Sequence, residues 1–118
     1  MNKQKVITEL VEKYPGKNIV CLPDNNPREI ICELEPKLGM AVAVIDSSKP
    51  HKHNLVKEFY KVIKGELLIN IDGKEQILKE GEYVEIKPPA AHFAKGNETW
   101  VDVFSDPSWH PEDHILTK

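Results

Sequence analysis

The chain has 118 residues, 40% hydrophobic and 30% charged, with a net charge of -3 and 16 basic against 19 acidic side chains. That size and balance fit a single globular domain and give no basic face for nucleic acid, so no nucleic-acid partner is expected. Arg28 is the only arginine, which disfavours planar recognition of phosphate or polyanions, and no apolar run reaches the roughly 18 residues of a membrane helix.

Residues 3–14 read as a short amphipathic helix. Val6, Ile7, Leu10, Val11 and Tyr14 recur at helical spacing, and Pro15-Gly16 ends the pattern. The start of the chain lacks the apolar core of a signal peptide, so the expected location is cytoplasmic. Cys21 and Cys32 form no CxxC pair and are expected as buried free thiols in a reducing compartment.

After the helix the period changes. Short β-branched runs at 18–22, 29–34, 40–45, 58–63, 67–71, 76–78, 83–86, 92–95 and 100–104 are separated by Gly, Pro, Asn and Asp. Ile71-Asp72-Gly73-Lys74 is a two-residue hairpin signal, and Lys64-Gly65-Glu66 and Glu80-Gly81-Glu82 are further turns. The connections are too short for parallel crossovers, which predicts an antiparallel sandwich or barrel. The organisation expected is an N-terminal helix over 1–16 and a barrel over 17–118. The tail from 106 onward reads as an irregular strap or a short strand lying on the barrel.

The chemistry concentrates in His51, His53, Glu58 and His92. Residues 51 and 53 alternate as on a strand, so both imidazoles can share a face. Glu58 can return to that face after a short bend, and His92 arrives from a later strand. Three imidazoles and a carboxylate make a ligand set for a divalent transition metal, with Zn, Cu, Fe and Ni suited by histidine and Mn and Fe tolerated by the carboxylate. No thiolate joins the set, which argues against a closed cysteine-type structural zinc site. Four protein ligands leave two positions open on a six-coordinate ion, whereas a tetrahedral zinc would be closed.

The spacing His51-x-His53-x4-Glu58-x6-Gly65 closely resembles the first motif of the cupin superfamily, and Gly81 to His92 resembles the second. The likeness runs from about residue 39 to 105 and is to small single-domain cupins. It implies an all-β double-stranded β-helix, or jelly roll, with the short N-terminal helix lying outside it. It also implies His51, His53, Glu58 and His92 as ligands of Fe, Mn, Ni, Zn or Cu. The chain departs from the motifs at Ile45, Lys87 and Pro89, where the family has glycine, proline and glycine. Proline cannot take the positive φ that glycine supplies, so the turn before His92 is expected to be built differently.

Strand parity places Tyr60 and Val62 on the same face as Glu58, and Ala90 and Ala94 on that of His92, with Phe93 on the other. Tyr60, Val62 and Ala94 are therefore pocket candidates; Tyr60 either donates its hydroxyl to a ligand or simply lines the barrel. Trp100, Phe104 and Trp109 suggest core packing or an interface plug. His110, Asp113 and His114 could form a second metal cluster but read more simply as a solvated loop. No further histidine or carboxylate is placed in the barrel by sequence, which favours metal-centred over acid–base chemistry. The expected function is a metal-dependent enzyme, dioxygenase-, isomerase- or lyase-like, acting on a small organic molecule. A non-catalytic metabolite- or sugar-binding module with a structural metal is the alternative. Edge strands of small jelly rolls need covering, and the segments 18–22 and 29–34 are expected to pair across the two-fold axis of a homodimer.

Overall fold

A computed structural model describes residues 1–107 and 115–117. One helix, α1 (Lys3–Lys13), precedes ten strands: β1 (Asn18–Leu22), β2 (Glu29–Glu35), β3 (Met40–Ser47), β4 (His51–Lys52), β5 (Lys57–Lys64), β6 (Leu67–Ile71), β7 (Lys74–Leu78), β8 (Tyr83–Ile86), β9 (Ala91–Asp106) and β10 (Ile115–Leu116). Every pairing among them is antiparallel. The result is an all-β jelly roll with a short N-terminal helix, as the resemblance implied, built of the antiparallel strands that the sequence pattern predicted.

The fold turns on β9. The two apolar runs at 92–95 and 100–104 are one continuous strand rather than two. Its first half pairs with β4 and β6, and its second half with β3 and β5. β9 thereby belongs to both walls of the barrel and changes direction at Gly96-Asn97-Glu98. Glu98 sits at φ 46°, and a Cβ on Gly96 would run into the Thr99 side chain and the Ile45 carbonyl. The bend is braced by the Glu98 amide donating to Asp46 Oδ1 at 2.8 Å and by the Asn97 amide donating to Thr99 Oγ1 at 3.2 Å. The Gly and Asn that read as a break are thus a corner within a strand.

Helix α1 is capped by the Asn2 side chain, which accepts from the Lys5 amide at 3.1 Å. Its buried stripe, Val6 and Leu10, lies on Ile30 and Cys32 of β2, Val42 and Val44 of β3, and Trp100 of β9. The alternate residues of those strands point the other way. Ala43, Ile45 and Val101 join Tyr60, Val62, Leu67, Ile69, Ile86 and Ala94 in the core of the barrel. β3 is therefore apolar on both faces, which accounts for the unbroken run 41–45 in place of an alternating one. Trp100 is core beneath the helix, while Phe104 is 42% exposed and neighbours Phe59 at a ring separation of 5.9 Å.

β2 is bonded on one side to β1 and on the other to β3. Of the two segments expected to reach across a dimer axis, only β1 keeps an open edge among the described residues; β2 is already paired within the chain. The short 3-10 turn Pro36–Leu38, ending on left-handed Gly39, was not anticipated. β10 pairs with β4, so the tail does supply a short strand. Trp109, His110, Asp113 and His114 lie outside the described residues.

Candidate metal centre

His51, His53, Glu58 and His92 converge at one end of the barrel. Each is at least 95% buried, and one donor atom from each lies within 4.8 Å of the others. Among the described residues this is the one group of three or more His, Cys, Asp or Glu side chains that converges so. The strands explain how. His51 on β4 stands directly opposite His92 on β9, and Glu58 near the start of β5 lies between Ile86 of β8 and Ser105 of β9. His53 follows β4 by one residue and keeps its parity. Before His92 the chain turns through Lys87-Pro88-Pro89-Ala90, closed by the Ala90 amide donating to the Lys87 carbonyl at 3.0 Å with a cis Pro88–Pro89 bond.

The contacts within the cluster are those of donors gathered round a point rather than of a hydrogen-bonded network. His53 Nε2 and His92 Nε2 approach the same oxygen, Glu58 Oε1, at 3.1 and 3.3 Å. Nitrogen and oxygen donors bound to one ion at about 2.1 Å stand roughly 3.0 to 3.4 Å apart, so these separations suit a shared ion. Both ring nitrogens of His92 and Glu58 Oε1 are buried without a well-formed hydrogen bond among the described residues, a costly arrangement unless something else satisfies them. His51 Nδ1 lies 2.7 Å from the Lys49 carbonyl. A carbonyl only accepts, so Nδ1 carries the proton and Nε2 the lone pair, as a backbone-oriented metal ligand requires.

Burial alone would push the Glu58 carboxyl upward. The His53 and His92 imidazoles beside it outweigh that and hold it down at about 2. Tyr60 is driven well above its ordinary value, first by burial and then by the charges of Glu58 and Glu29. It therefore remains a hydroxyl, with its ring edge-on to His92 at 6.0 Å.

A cavity of about 200 Å³ opens onto the cluster, with His51, His53, Glu58 and Tyr60 in its wall. Val62 and Ala94, the other pocket candidates, are buried in the barrel core and are not part of that wall. Ala94 instead ties the loop before β4 to β9, its amide donating to Ser48 Oγ at 2.9 Å.

Glu29 is the residue that sequence reasoning missed. It lines the cavity from β2, so a second carboxylate does stand in the barrel beside Glu58. The signal was present: Ile30 and Cys32 alternate with Glu29, Ile31 and Glu33, but nothing in sequence says which set meets the helix and which the cavity. Burial and then the charge of Glu58 raise the Glu29 carboxyl to about 7. Because its value in the fold lies above its ordinary 4.5, Glu29 costs nothing below pH 4.5 and an increasing amount as pH rises to about 7. Glu29→Gln is expected to stabilise the metal-free protein by an amount of the order of 2 kcal/mol at about pH 8 and to change nothing at about pH 4. Urea unfolding at the two pH values checks this, and an equal effect at both would refute it.

A family model described as a cupin domain matches residues 40–104. A comparison with curated proteins found no match. Among solved structures, KdgF from Halomonas sp. superposes with a TM-score of 0.65 at 16% identity, over 80% of this chain and 91% of that one. The nucleoside dehydratase Pac13, known from Streptomyces, gives 0.71 at 10% identity, over 87% and 88%. FeII HppE gives 0.66 at 17% identity, over 76% of this chain and 56% of that one. Likeness at these identities speaks for the fold. No helix among the described residues is long and apolar enough to cross a membrane.

Proposed function

The chain belongs to the cupin domain family, and on that basis we propose that it is a metal-dependent enzyme acting on a small organic molecule. His51, His53, Glu58 and His92 would hold one divalent transition metal, Fe, Mn, Ni, Zn or Cu. The observation that carries this reading is the convergence of four buried donors, three of them in the wall of a cavity, with the His92 nitrogens and Glu58 Oε1 left without good hydrogen bonds. A bound ion would supply Lewis acidity or a redox centre, suited to dioxygenase-, isomerase- or lyase-type chemistry.

The chain's own residues then have separate tasks. The Lys49 carbonyl orients the His51 ring. Glu58 stays ionised and offsets one of the two positive charges. Tyr60 offers a proton-bearing hydroxyl from the cavity wall. The cavity, below the roughly 300 to 1,000 Å³ of sites for drug-sized ligands, limits the substrate to a small molecule. FeII HppE and the dehydratase Pac13 lend support, as each pairs this fold with a metal or with elimination chemistry.

Elemental analysis of protein purified from its native source is expected to find one metal per chain. Chelation is expected to abolish turnover of catechols, thiols or flavonols, followed by oxygen uptake for the Fe(II) form, while the β-sheet circular dichroism persists. Failure to take up any metal would refute the reading. A metal whose removal melts the barrel, with no turnover in any form, would turn it into a binding module with a structural ion. A homodimer paired along the open edge of β1 belongs to the same proposal; a monomer in sedimentation at micromolar concentration would remove it.

A further inference from the structure

The cavity wall carries an unusual balance of charge. Glu29, Glu33 and Glu58 all line it, and among the described residues no lysine or arginine does. The remainder of the wall is mostly apolar, including Val20, Ile31, Met40 and Val103. Glu58 belongs to the metal cluster. Glu29 does not, and its half-buried carboxylate makes no hydrogen bond or ion pair among the described residues. A carboxylate withdrawn from water without a partner is destabilising, and here it also faces the charge of Glu58. The same alternation that turns Ile30 and Cys32 to the helix holds Glu29 in place, since Glu29 pairs with Ile45 at the end of the β2–β3 ladder.

We propose that this cavity selects a small ligand carrying a protonated amine, that Glu29 receives the ammonium group, and that the ligand's other end reaches the cluster of His51, His53, Glu58 and His92. The inference rests on the metal-centre reading above and names the substrate class for that site. Charge decides among the alternatives. An ion of charge two beside Glu58 leaves one net positive charge; Glu29 cancels it and Glu33 makes the cavity negative. An anionic ligand would find two carboxylates and no cation but the metal. A neutral ligand would leave Glu29 unpaired. A cation satisfies it and relieves its repulsion from Glu58. The apolar wall between the two ends suits the short carbon chain joining an ammonium to a metal-binding head.

The test uses Co(II)-loaded protein at about pH 8, above the value of about 7 to which the Glu29 carboxyl is raised, so that it is ionised, and three probes that share an imidazole head for the metal. These are histamine, with an ammonium arm; 4-(hydroxyethyl)imidazole, with a neutral arm; and imidazole-4-acetate, with an anionic arm. Cobalt content is measured first, by elemental analysis, and affinities by calorimetry. Histamine is expected to bind about tenfold more tightly than the hydroxyethyl probe, the scale of one charge-assisted hydrogen bond, and imidazole-4-acetate more weakly than either. Glu29→Gln is expected to remove the preference for the amine while leaving cobalt content and the affinity of the neutral probe unchanged. Equal affinity for amine and alcohol, tightest binding of the anion, or an amine preference that survives Glu29→Gln would each overturn the proposal while the metal centre stands. Absence of cobalt from the wild type would overturn the metal centre itself, and with it this inference.

Discussion

Replacing His53 with alanine is expected to lower divalent-metal affinity by more than about a hundredfold. That exceeds the ten- to hundredfold cost of losing a residue that merely orients a ligand, because the change deletes a donor outright. His53 is 2% exposed, and its Nε2 stands 3.1 Å from Glu58 Oε1. Lys52 is the matched control: it lies between the two histidines and faces the other side of the strand, so Lys52→Ala should leave affinity unchanged. Metal titration of the refolded apoproteins gives both numbers, and unaltered binding by His53→Ala would exclude this residue as a ligand. The carboxylate adds a statement about acid. Glu58 is held below its ordinary 4.5, at about 2, so the stability it contributes is present above pH 4.5 and is lost only as pH falls toward 2.

Gly39→Ala is expected to cost more than about 4 kcal/mol, close to the limit for a single substitution. Two penalties add. Gly39 has φ 69°, and an added methyl would overlap the backbone carbonyl of Ser105 on β9. The Ser105 amide already donates to the Gly39 carbonyl at 2.8 Å, so neither segment can withdraw without losing that bond. Gly73 supplies the comparison. It has φ 85° in the hairpin, but a methyl there meets nothing within 4 Å, and Gly73→Ala should cost only the backbone strain of about 1 to 2 kcal/mol. Thermal unfolding of the two variants separates strain from collision, and a Gly39→Ala protein as stable as Gly73→Ala would show that β9 yields. The displacement would also be felt at the metal centre, since Ser105 is the β9 partner of Glu58.

The cluster of His51, His53, Glu58 and His92 was legible because its geometry is local. Two histidines two residues apart, on and just past β4, and a glutamate near the start of β5 keep their parity whatever the rest of the barrel does, and a later histidine needs only to pair with the first. The helix was legible for the same reason, as its apolar stripe and its Pro15-Gly16 stop are near neighbours in sequence. What escaped was set by long-range layering. Glu29 reads as the polar half of an alternating strand, and only the position of α1 on the opposite face turns it inward. The run 100–104 looks like a strand of its own, because the Asp46 carboxylate that braces the corner before it is 52 residues away from Glu98. Pro36 and Gly39 bracket a turn that sequence could have offered, but the need for a bare Cα at Gly39 comes from Ser105, on a strand far along the chain.

The place of β9 in the chain has a consequence for synthesis. Residues 91–106 border four other strands and join both walls, yet they are made after all of those strands. A nascent chain lacking them can close only the ladders of β2 with β1 and β3, of β6 with β7, and of β5 with β8. His92, on the same strand, is the last of the four histidine and glutamate donors to leave the ribosome. Barrel closure and completion of the metal centre thus fall in one late event, and until then the growing protein is a set of open hairpins with its central seam unsewn.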